Sequence, residues 1–444
     1  MTDFTRKKFG LISLGCDKNR VDAEKLLARI RDRGCEITND ISKAQVLIIN
    51  TCSFLADARK EAIDTIIECA AYKHGGLEKI VVTGCLPQKF IDEIYDELTE
   101  ADVFLGAYDY DRFFDALEEA YEKGRSNFTH SGGDGFSCGR VVTTPLHYAY
   151  LKIADGCDNR CTYCLIPAIR GRYHSYPVEK LVAEAEGLGD VAELILVAQD
   201  VTRYGTDLYG ERRLCALVRA LTALENIGSV RLLYCYPEMI DDELIAELRD
   251  NPKVIKYLDI PLQHSEDRVL KLMNRRGTRK SYLELIGRLR EEVPGIAIRS
   301  TFICGFPTET EEESAALAGF LRQAKLDNCG FFAYSREEGT PAYRLKGQIT
   351  YAVKKRRVKN MYAVQRGVSL ERMNGYKGCV LRVLCDGICD DGSGFYGRAY
   401  FSAPDIDGKV FFNAPFAEQG KYYNVYIDAA DSYNLYGRTE DYEE

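Results

Sequence analysis

The chain has 444 residues, of which 46% are hydrophobic, and its formal net charge is −9. This length predicts two or three domains, and so much apolar sequence excludes an intrinsically disordered protein. The negative charge argues against a protein whose main role is to grip a nucleic-acid backbone. The first ten residues contain no apolar signal core, and no stretch approaches about 18 consecutive apolar residues, so we expect a cytosolic protein with no membrane partner.

The first part of the chain, residues 1–125, alternates between strand-like and helix-like segments. Strands are predicted at residues 9–14, 46–50, 80–83 and 103–105, and charged helical segments at 21–33, 57–71 and 88–98. This alternation is typical of a parallel sheet with helices on its faces, and we expect a Rossmann-like α/β domain. A glycine-rich stretch at residues 131–135 predicts a linker.

The remainder of the chain divides into two further predicted domains. Residues 145–370 repeat the strand–helix alternation six times, with strands at 148–153, 194–198, 230–236, 257–260, 296–303 and 330–334. Six β/α units fit a partial β/α barrel. In residues 371–444, short segments at 380–385, 395–401, 410–413 and 422–427 are separated by Gly, Asp and Asn, which predicts a small all-β barrel.

Three closely spaced cysteines, Cys157, Cys161 and Cys164, follow the first predicted strand of the second domain. Such folds carry their chemistry in loops at the carboxyl ends of strands. Thiolates are the usual ligands of iron–sulfur clusters, and three of the usual four would leave one iron open for a substrate group. A structural zinc site would need a fourth ligand close by, for which His174 is the nearest candidate. Chance clustering of buried thiols is the other alternative.

A second set of three, Cys16, Cys52 and Cys85, is spread along the first domain, and each follows a predicted strand. The carboxyl ends of neighbouring parallel strands meet at one edge of a sheet. We therefore predict a second three-cysteine cluster, with buried unliganded thiols as the alternative. Scattered cysteines such as Cys35 and Cys215 are interpreted as small buried hydrophobes, because disulfides are rare in the cytosol.

The sequence resembles a known family at both cysteine sets. The motif Cys-x3-Cys-x2-Cys, with Tyr163 before its last cysteine, is similar to the signature of radical S-adenosylmethionine enzymes. The strings at residues 13–19, 50–54 and 83–87 resemble the amino-terminal motifs of the methylthiotransferases, and the resemblance covers essentially the whole chain. It implies two [4Fe-4S] clusters, one on each cysteine set, with S-adenosylmethionine bound at the central one. It also implies a carboxyl-terminal barrel of the TRAM type and an electron donor such as flavodoxin or ferredoxin.

Polar residues at strand ends are candidates for holding S-adenosylmethionine. Two of them follow the second barrel strand, where related enzymes hold the amino end of the cofactor, and two border later strands. A fifth candidate, Tyr163, lies within the cysteine motif itself. The alternative for each is a satisfied polar residue at a strand terminus. The expected cofactor contacts are Tyr163, Gln199, Asp200, Gln263 and Arg299.

No acid–base residue is predicted. His264 is given no catalytic role, because abstraction of a hydrogen atom by a radical needs no base. The sequence contains no convincing Ser/His/Asp arrangement or pair of catalytic carboxylates. Residues 305–307, Gly-Phe-Pro, are expected to form a tight turn that lets the backbone approach the adenosine.

Further segments of the sequence predict which substrate the enzyme modifies. Residues 15–22, 166–173, 259–264, 334–341 and 403–408 resemble the branch of the family that modifies an aspartate in protein twelve of the small ribosomal subunit. Asp17 and Thr308 stand where proline and glycine are expected, and neither is a ligand. The implied reaction adds a methylthio group to the β-carbon of that aspartate.

The net charge of the predicted carboxyl-terminal barrel also helps to distinguish a protein substrate from tRNA. Residues 371–444 contain 13 acidic and 7 basic residues, a net of −6. An acidic surface, with charges such as Asp405, Asp407 and Asp428, suits a basic ribosomal protein better than tRNA. Two alternatives stay open: a tRNA adenosine methylthiotransferase, and a non-catalytic iron–sulfur electron-transfer protein.

Overall fold

The computed structural model describes residues 3–129 and 139–441, so the predicted linker centre lies outside the described residues. Three units follow one another along the chain: a parallel sheet, an open six-stranded sheet and a closed barrel. Within the described ranges, no helix is both long and apolar enough to cross a membrane.

The first unit is a six-stranded sheet in the order β2-β1-β3-β4-β5-β6, parallel throughout. One apolar layer covers each face, which explains the continuous apolar run of the central strand β3. The four predicted strands are confirmed, and two short edge strands, β2 and β6, add to them. The elements are β1 Lys8–Ser13, α1 Asp17–Asp32, β2 Glu36–Ile37, β3 Val46–Thr51, α2 Ala56–Cys69, β4 Lys79–Gly84, α3 Cys85–Ile94, β5 Val103–Gly106, α4 Phe113–Lys123 and β6 Ser126–Phe128.

The second unit is a parallel sheet in the order β14-β13-β12-β11-β10-β7, with all six predicted strands present. The edge strands β7 and β14 do not pair with each other, so the barrel is open, and the largest apolar core lies between sheet and helices. The elements are β7 Tyr148–Lys152, β8 Ala154–Asp155, α5 Ile166–Ile169, β9 His174–Ser175, α6 Val178–Glu186, β10 Glu193–Val197, α7 Leu214–Thr222, β11 Val230–Leu232, α8 Asp242–Asp250, β12 Val254–Asp259, α9 Asp267–Leu272, α10 Arg279–Glu292, β13 Ala297–Cys304, α11 Glu311–Ala324, β14 Asn328–Ala333 and α12 Tyr351–Asn374.

The third unit is a closed five-stranded barrel in the order β15-β16-β17-β19-β18. The sequence predicts four of these strands. The fifth, β19, closes the barrel between β17 and β18, and its Leu-Tyr-Gly-Arg-Thr sequence offers no apolar run that would reveal it. The strands are β15 Val380–Ile388, β16 Phe395–Arg398, β17 Val410–Asn413, β18 Tyr422–Ala430 and β19 Leu435–Thr439.

The inner face of the open barrel is not empty, because the other two units pack onto it. Tyr150 and Tyr257 point away from the helices and share one apolar cluster with Val383 of the third unit and Val21 of α1. Polar contacts strengthen the junction: Tyr257 donates a hydrogen bond of 2.7 Å to Asp407. The three units therefore enclose one common interior.

Candidate functional site

The amino-terminal triad, Cys16, Cys52 and Cys85, lies at the carboxyl ends of the adjacent strands β1, β3 and β4. Cys16 is the residue that precedes α1, and Cys85 begins α3 directly after Gly84. Gly84 has φ +95°, and a Cβ there would lie 2.5 Å from the carbonyl oxygen of Thr51, so only glycine lets this strand end approach β3. Burial raises the pKa of the Cys52 thiol to about 11, and the nearby Cys85 and Cys16 thiols add to the effect.

The central triad, Cys157, Cys161 and Cys164, lies in the loop after β8, and its three side chains are half-buried. Backbone N–H groups point at two of the sulfurs, from Asn159 to Cys157 and from Ile166 to Cys164, each at 3.4 Å. Burial raises the pKa of Cys157 to about 11. Backbone donors around buried sulfurs suit a thiolate that is bound to a metal.

The chemistry of the donors fits clusters better than a single ion. Among the described residues, no three His, Cys, Asp or Glu side chains surround one point closely enough to hold one metal ion. In a four-iron cluster each thiolate binds a different iron, so its ligands lie farther apart than those of zinc. The zinc alternative is further weakened by His174, whose side chain is 61% exposed and lies 4.0 Å from Asp207. The six cysteines stay predicted ligands.

Gln199 and Asp200 follow β10 and lie beside the central triad's loop. Gln199 donates from Nε2 to Asp155 at 2.7 Å, whereas its Oε1 is buried without a hydrogen-bond partner among the described residues. Other buried amide oxygens, such as Oε1 of Gln365, also lack a partner among the described residues, but that of Gln199 lies beside the central triad's loop, where it suits the ammonium group of S-adenosylmethionine. Asp200 is 1% exposed and accepts hydrogen bonds from Asn159 at 2.9 Å and from Thr202, so it holds the loop itself.

The other three predicted contacts lie in different surroundings. Tyr163 packs against the apolar cluster around Phe306. Gln263 lies four residues after the end of β12 and has a left-handed φ of +71°, a strained conformation that is common at functional sites. Arg299 is already paired, at 2.8 Å with Asp259 and at 3.5 Å with Asp407 of the third unit. The structure thus places Gln199 beside the central triad's loop and pairs Arg299 with Asp407 of the third unit.

Two further sequence interpretations concern the end of β13. His264 is fully buried, and its Nδ1 accepts from the backbone N–H of Glu266. Its Nε2 lies 3.7 Å from Glu309 and has no hydrogen-bond partner among the described residues. The turn at 305–307 has the left-handed glycine expected of it, and its approach to the adenosine stays a prediction. Gly305 has φ +75°, and a Cβ there would lie 2.5 Å from Cγ of Lys354, so it is α12 that requires the glycine.

Sequence reasoning missed the residues that join the two triads. Tyr234, just after β11, donates to Asp17 at 3.3 Å, and Nζ of Lys18 lies 3.4 Å from the centre of its ring. From the other side Arg170 approaches Cys85, with 3.5 Å between Nη2 and Sγ. From the sequence alone, Asp17 is only a departure from the family pattern. No local sequence signal reveals these contacts, because each joins residues from different units.

Comparisons with known proteins cover all three units. The family described as "Uncharacterized protein family UPF0004" matches residues 8–106, the radical SAM superfamily matches 151–321, and the TRAM domain matches 378–439. The ribosomal protein uS12 methylthiotransferase RimO of Acetivibrio thermocellus is 45% identical over 97% of this chain and 98% of its own length. The protein of the same name from Geobacter sulfurreducens is 42% identical over 97% and 98%.

Solved structures share the fold at low sequence identity. The radical S-adenosylmethionine methyltransferase TsrM from Kitasatospora setae has a TM-score of 0.52 at 16% identity, covering 76% of this chain and 77% of that one. The cobalamin-dependent S-adenosylmethionine radical enzyme OxsB has a TM-score of 0.52 at 11% identity, covering 95% and 65%. At these low identities, the similarities show a shared fold and nothing further.

Proposed function

The chain belongs to the radical S-adenosylmethionine family of ribosomal protein uS12 methylthiotransferases, and from this we propose that it adds a methylthio group to the β-carbon of an aspartate in uS12. It is an enzyme that uses S-adenosylmethionine and a [4Fe-4S] cluster. The target carbon carries no acidic proton, which explains why radical chemistry replaces a general base. The proposed domains are residues 1–125, 145–370 and 371–444, and the proposed location is the cytoplasm.

The central triad is proposed to hold the cluster that binds S-adenosylmethionine. When bound, the two together supply the 5′-deoxyadenosyl radical, and the protein's part is to hold and aim them. Gln199 supports this assignment most directly, because its buried Oε1 has no partner among the described residues and suits an ammonium donor. The N–H groups of Asn159 and Ile166 would stabilise the thiolates of Cys157 and Cys164. The roles of Tyr163, Asp200, Gln263 and Arg299 as cofactor contacts stay predictions.

The amino-terminal triad is proposed to hold a second [4Fe-4S] cluster that takes part in sulfur delivery. One observation carries this proposal: α1 starts directly after Cys16, and its first turn contacts Tyr234 at the end of strand β11. The start of α1, next to Cys16, therefore lies against the radical domain at the end of β11. A sulfur group held on this triad would have a short path to a substrate in the common interior.

An acidic region of the third unit is proposed to bind the basic uS12 protein. Asp407 cannot contribute to it, because its side chain is 1% exposed and buried against Tyr257 and Arg299, which corrects the surface role given to it from sequence. Asp390 and Asp391 are exposed and line a cleft of about 770 Å³ together with aromatic side chains of the barrel. Opposite charges across an interface favour association with a basic partner. A flavodoxin or ferredoxin is proposed as electron donor.

One experiment decides between protein and tRNA as substrate. The anaerobically reconstituted enzyme is given purified uS12 and bulk tRNA in one reaction with S-adenosylmethionine and a reductant. Mass spectrometry should find the methylthio group on an aspartate of uS12. A Cys161→Ala variant is the control and should leave both substrates unmodified. Label on tRNA alone would contradict the proposed substrate and leave the radical class intact.

A further inference from the structure

Arg170 lies between the two cysteine triads and is buried. It follows the short helix α5, six residues after Cys164, yet its guanidinium reaches into the first unit. Nη1 lies 2.9 Å from the carboxylate of Asp22 on α1 and 3.0 Å from that of Asp155 in β8. Nη2 donates to the side chain of Asn19 and lies 3.5 Å from Sγ of Cys85.

The charges around Arg170 are balanced. Lys152 contacts the same two carboxylates, at 3.0 Å from Asp155 and in a close ion pair with Asp22. The four side chains are at most 3% exposed. Two cations thus face two carboxylates, which avoids the large cost of an unpaired buried charge. The arrangement crosses the boundary between units, because Asp22 belongs to the first and the other three belong to the second.

The same group of charges continues to the central triad. The second oxygen of Asp155 accepts from the backbone N–H of Gly156 at 2.9 Å and from Nε2 of Gln199 at 2.7 Å. Gly156 directly precedes Cys157. An unbroken run of contacts therefore leads from Cys85 through Arg170 and Asp155 to Gln199, the proposed S-adenosylmethionine contact.

We propose that Arg170 is a positioning residue that fixes the auxiliary cluster against the radical site and sets its electronic properties through Cys85. The rigid planar fork of arginine can bind two carboxylates and a sulfur at once, which the single ammonium of lysine cannot reproduce. A cation and an N–H donor beside a cluster sulfur stabilise the reduced, more negative state and raise the reduction potential. The inference rests on the auxiliary cluster of the proposed function.

The test isolates the auxiliary cluster. The full-length chain carries Cys157→Ala, Cys161→Ala and Cys164→Ala, so that only the amino-terminal triad can bind iron. Adding Arg170→Gln should shift the midpoint potential of the remaining cluster to more negative values and alter the electron paramagnetic resonance spectrum of its reduced form. Arg170→Lys, which keeps the charge, should shift the potential less and serves if the glutamine variant does not fold.

Arg140 provides a matched control. It is 3% exposed and pairs with Glu24 of α1 and with Glu184 of α6, so it also bridges the first two units, but it has no contact with Cys85 among the described residues. Arg140→Gln should lower stability without moving the potential. An unchanged potential in Arg170→Gln, or an equal shift in Arg140→Gln, overturns this inference alone. A background that binds no iron overturns both the auxiliary cluster and this inference.

Discussion

At the scale of single residues, burial makes the predicted ligand thiols weaker acids than a free cysteine. It raises the pKa of both Cys52 and Cys157 to about 11, well above that of a free thiol near 9. At neutral pH in the absence of iron these side chains are therefore protonated. Only the thiolate binds metal, so cluster assembly must release protons, and it should be favoured by raising the pH.

The first prediction follows from the raised pKa of Cys157. In the folded, cluster-free protein, the rate of alkylation of Cys157 by iodoacetamide should rise about tenfold per pH unit until about pH 11, because only the thiolate reacts. The rate is measured by peptide mass spectrometry. The urea-unfolded chain is the control, and its rate should level off at about pH 9, near the pKa of an unperturbed cysteine. The same plateau in the folded protein would contradict the raised pKa.

A second prediction concerns Gln199. Replacing it by leucine removes the orphaned acceptor Oε1, and a hydrogen bond to a charged group contributes about 1.5–3 kcal/mol. The KM for S-adenosylmethionine in the uncoupled cleavage assay should therefore rise roughly 10- to 100-fold. Gln365→Leu is the control, since it removes another buried amide, on α12, that contacts Leu326. A KM unchanged in Gln199→Leu would exclude this contact.

The sequence alone predicts the role of a side chain whose partners are close to it in the chain. It does not predict the role of a side chain whose partners are distant in the chain. The spacing of Cys157, Cys161 and Cys164 within one loop is enough to predict ligands. Arg170 is 148 residues from Asp22, and Asp407 is 150 residues from Tyr257. Their roles depend on how the units pack, and no pattern in a single sequence gives that.

At the scale of elements, the start of α2 depends on a residue from another unit. Glu337, in the loop after β14, accepts from the backbone N–H of Ala56 at 2.9 Å and from Arg59 at 2.7 Å. A carboxylate at a helix amino terminus satisfies a free N–H group and interacts favourably with the helix dipole. Because α2 begins four residues after Cys52, this contact also anchors the amino-terminal triad.

The third prediction tests that anchor. Glu337→Gln removes a buried charge and should lower the free energy of unfolding by about 1–3 kcal/mol. It should also reduce the iron bound after reconstitution, through looser placement of Cys52. The measurements are thermal denaturation and iron content. Glu338→Gln, at the exposed neighbouring position, is the control and should change neither. Equal behaviour of the two variants would rule out the anchoring role.

The strands were predictable where both faces are buried and not where they are short or polar. β3 is buried along its whole length, and its apolar run is visible in the sequence. β2 has two residues, too few for any pattern. β19 is buried only at its first and last residues and contains a glycine, so it shows no alternating pattern. Its pairing with β17 and β18 in the closed barrel accounts for it better than its composition does.

At the scale of the whole molecule, three units share one interior, and the third unit carries the proposed docking region. The sequence predicts the three units, because each has its own alternation of segments, but not their packing. Asp407 illustrates the difference: it contributes to the net negative charge of the barrel, yet it is buried between units. The net charge of the barrel sequence therefore overestimates the negative charge on its exposed surface.

The fourth prediction uses the acids that are exposed. Reversing Asp390 and Asp391 to lysine should slow association with uS12 on the order of tenfold at low salt and weaken the dependence of the rate on salt, because steering by opposite charges is lost. Stopped-flow binding measures the rate. Reversing the exposed pair Asp96 and Glu97 of the first unit makes the same change in net charge and is the control. Equal slowing by both pairs would contradict a docking region on the barrel.

The division of labour between the two triads is the central claim, and one measurement tests it most directly: S-adenosylmethionine cleavage without substrate in two triple variants. Replacing Cys16, Cys52 and Cys85 by alanine should halve the bound iron from about eight per chain and leave cleavage intact. Replacing the central triad should halve the iron and abolish cleavage. Loss of cleavage in the first variant, in protein that circular dichroism demonstrates to be folded, would contradict the account.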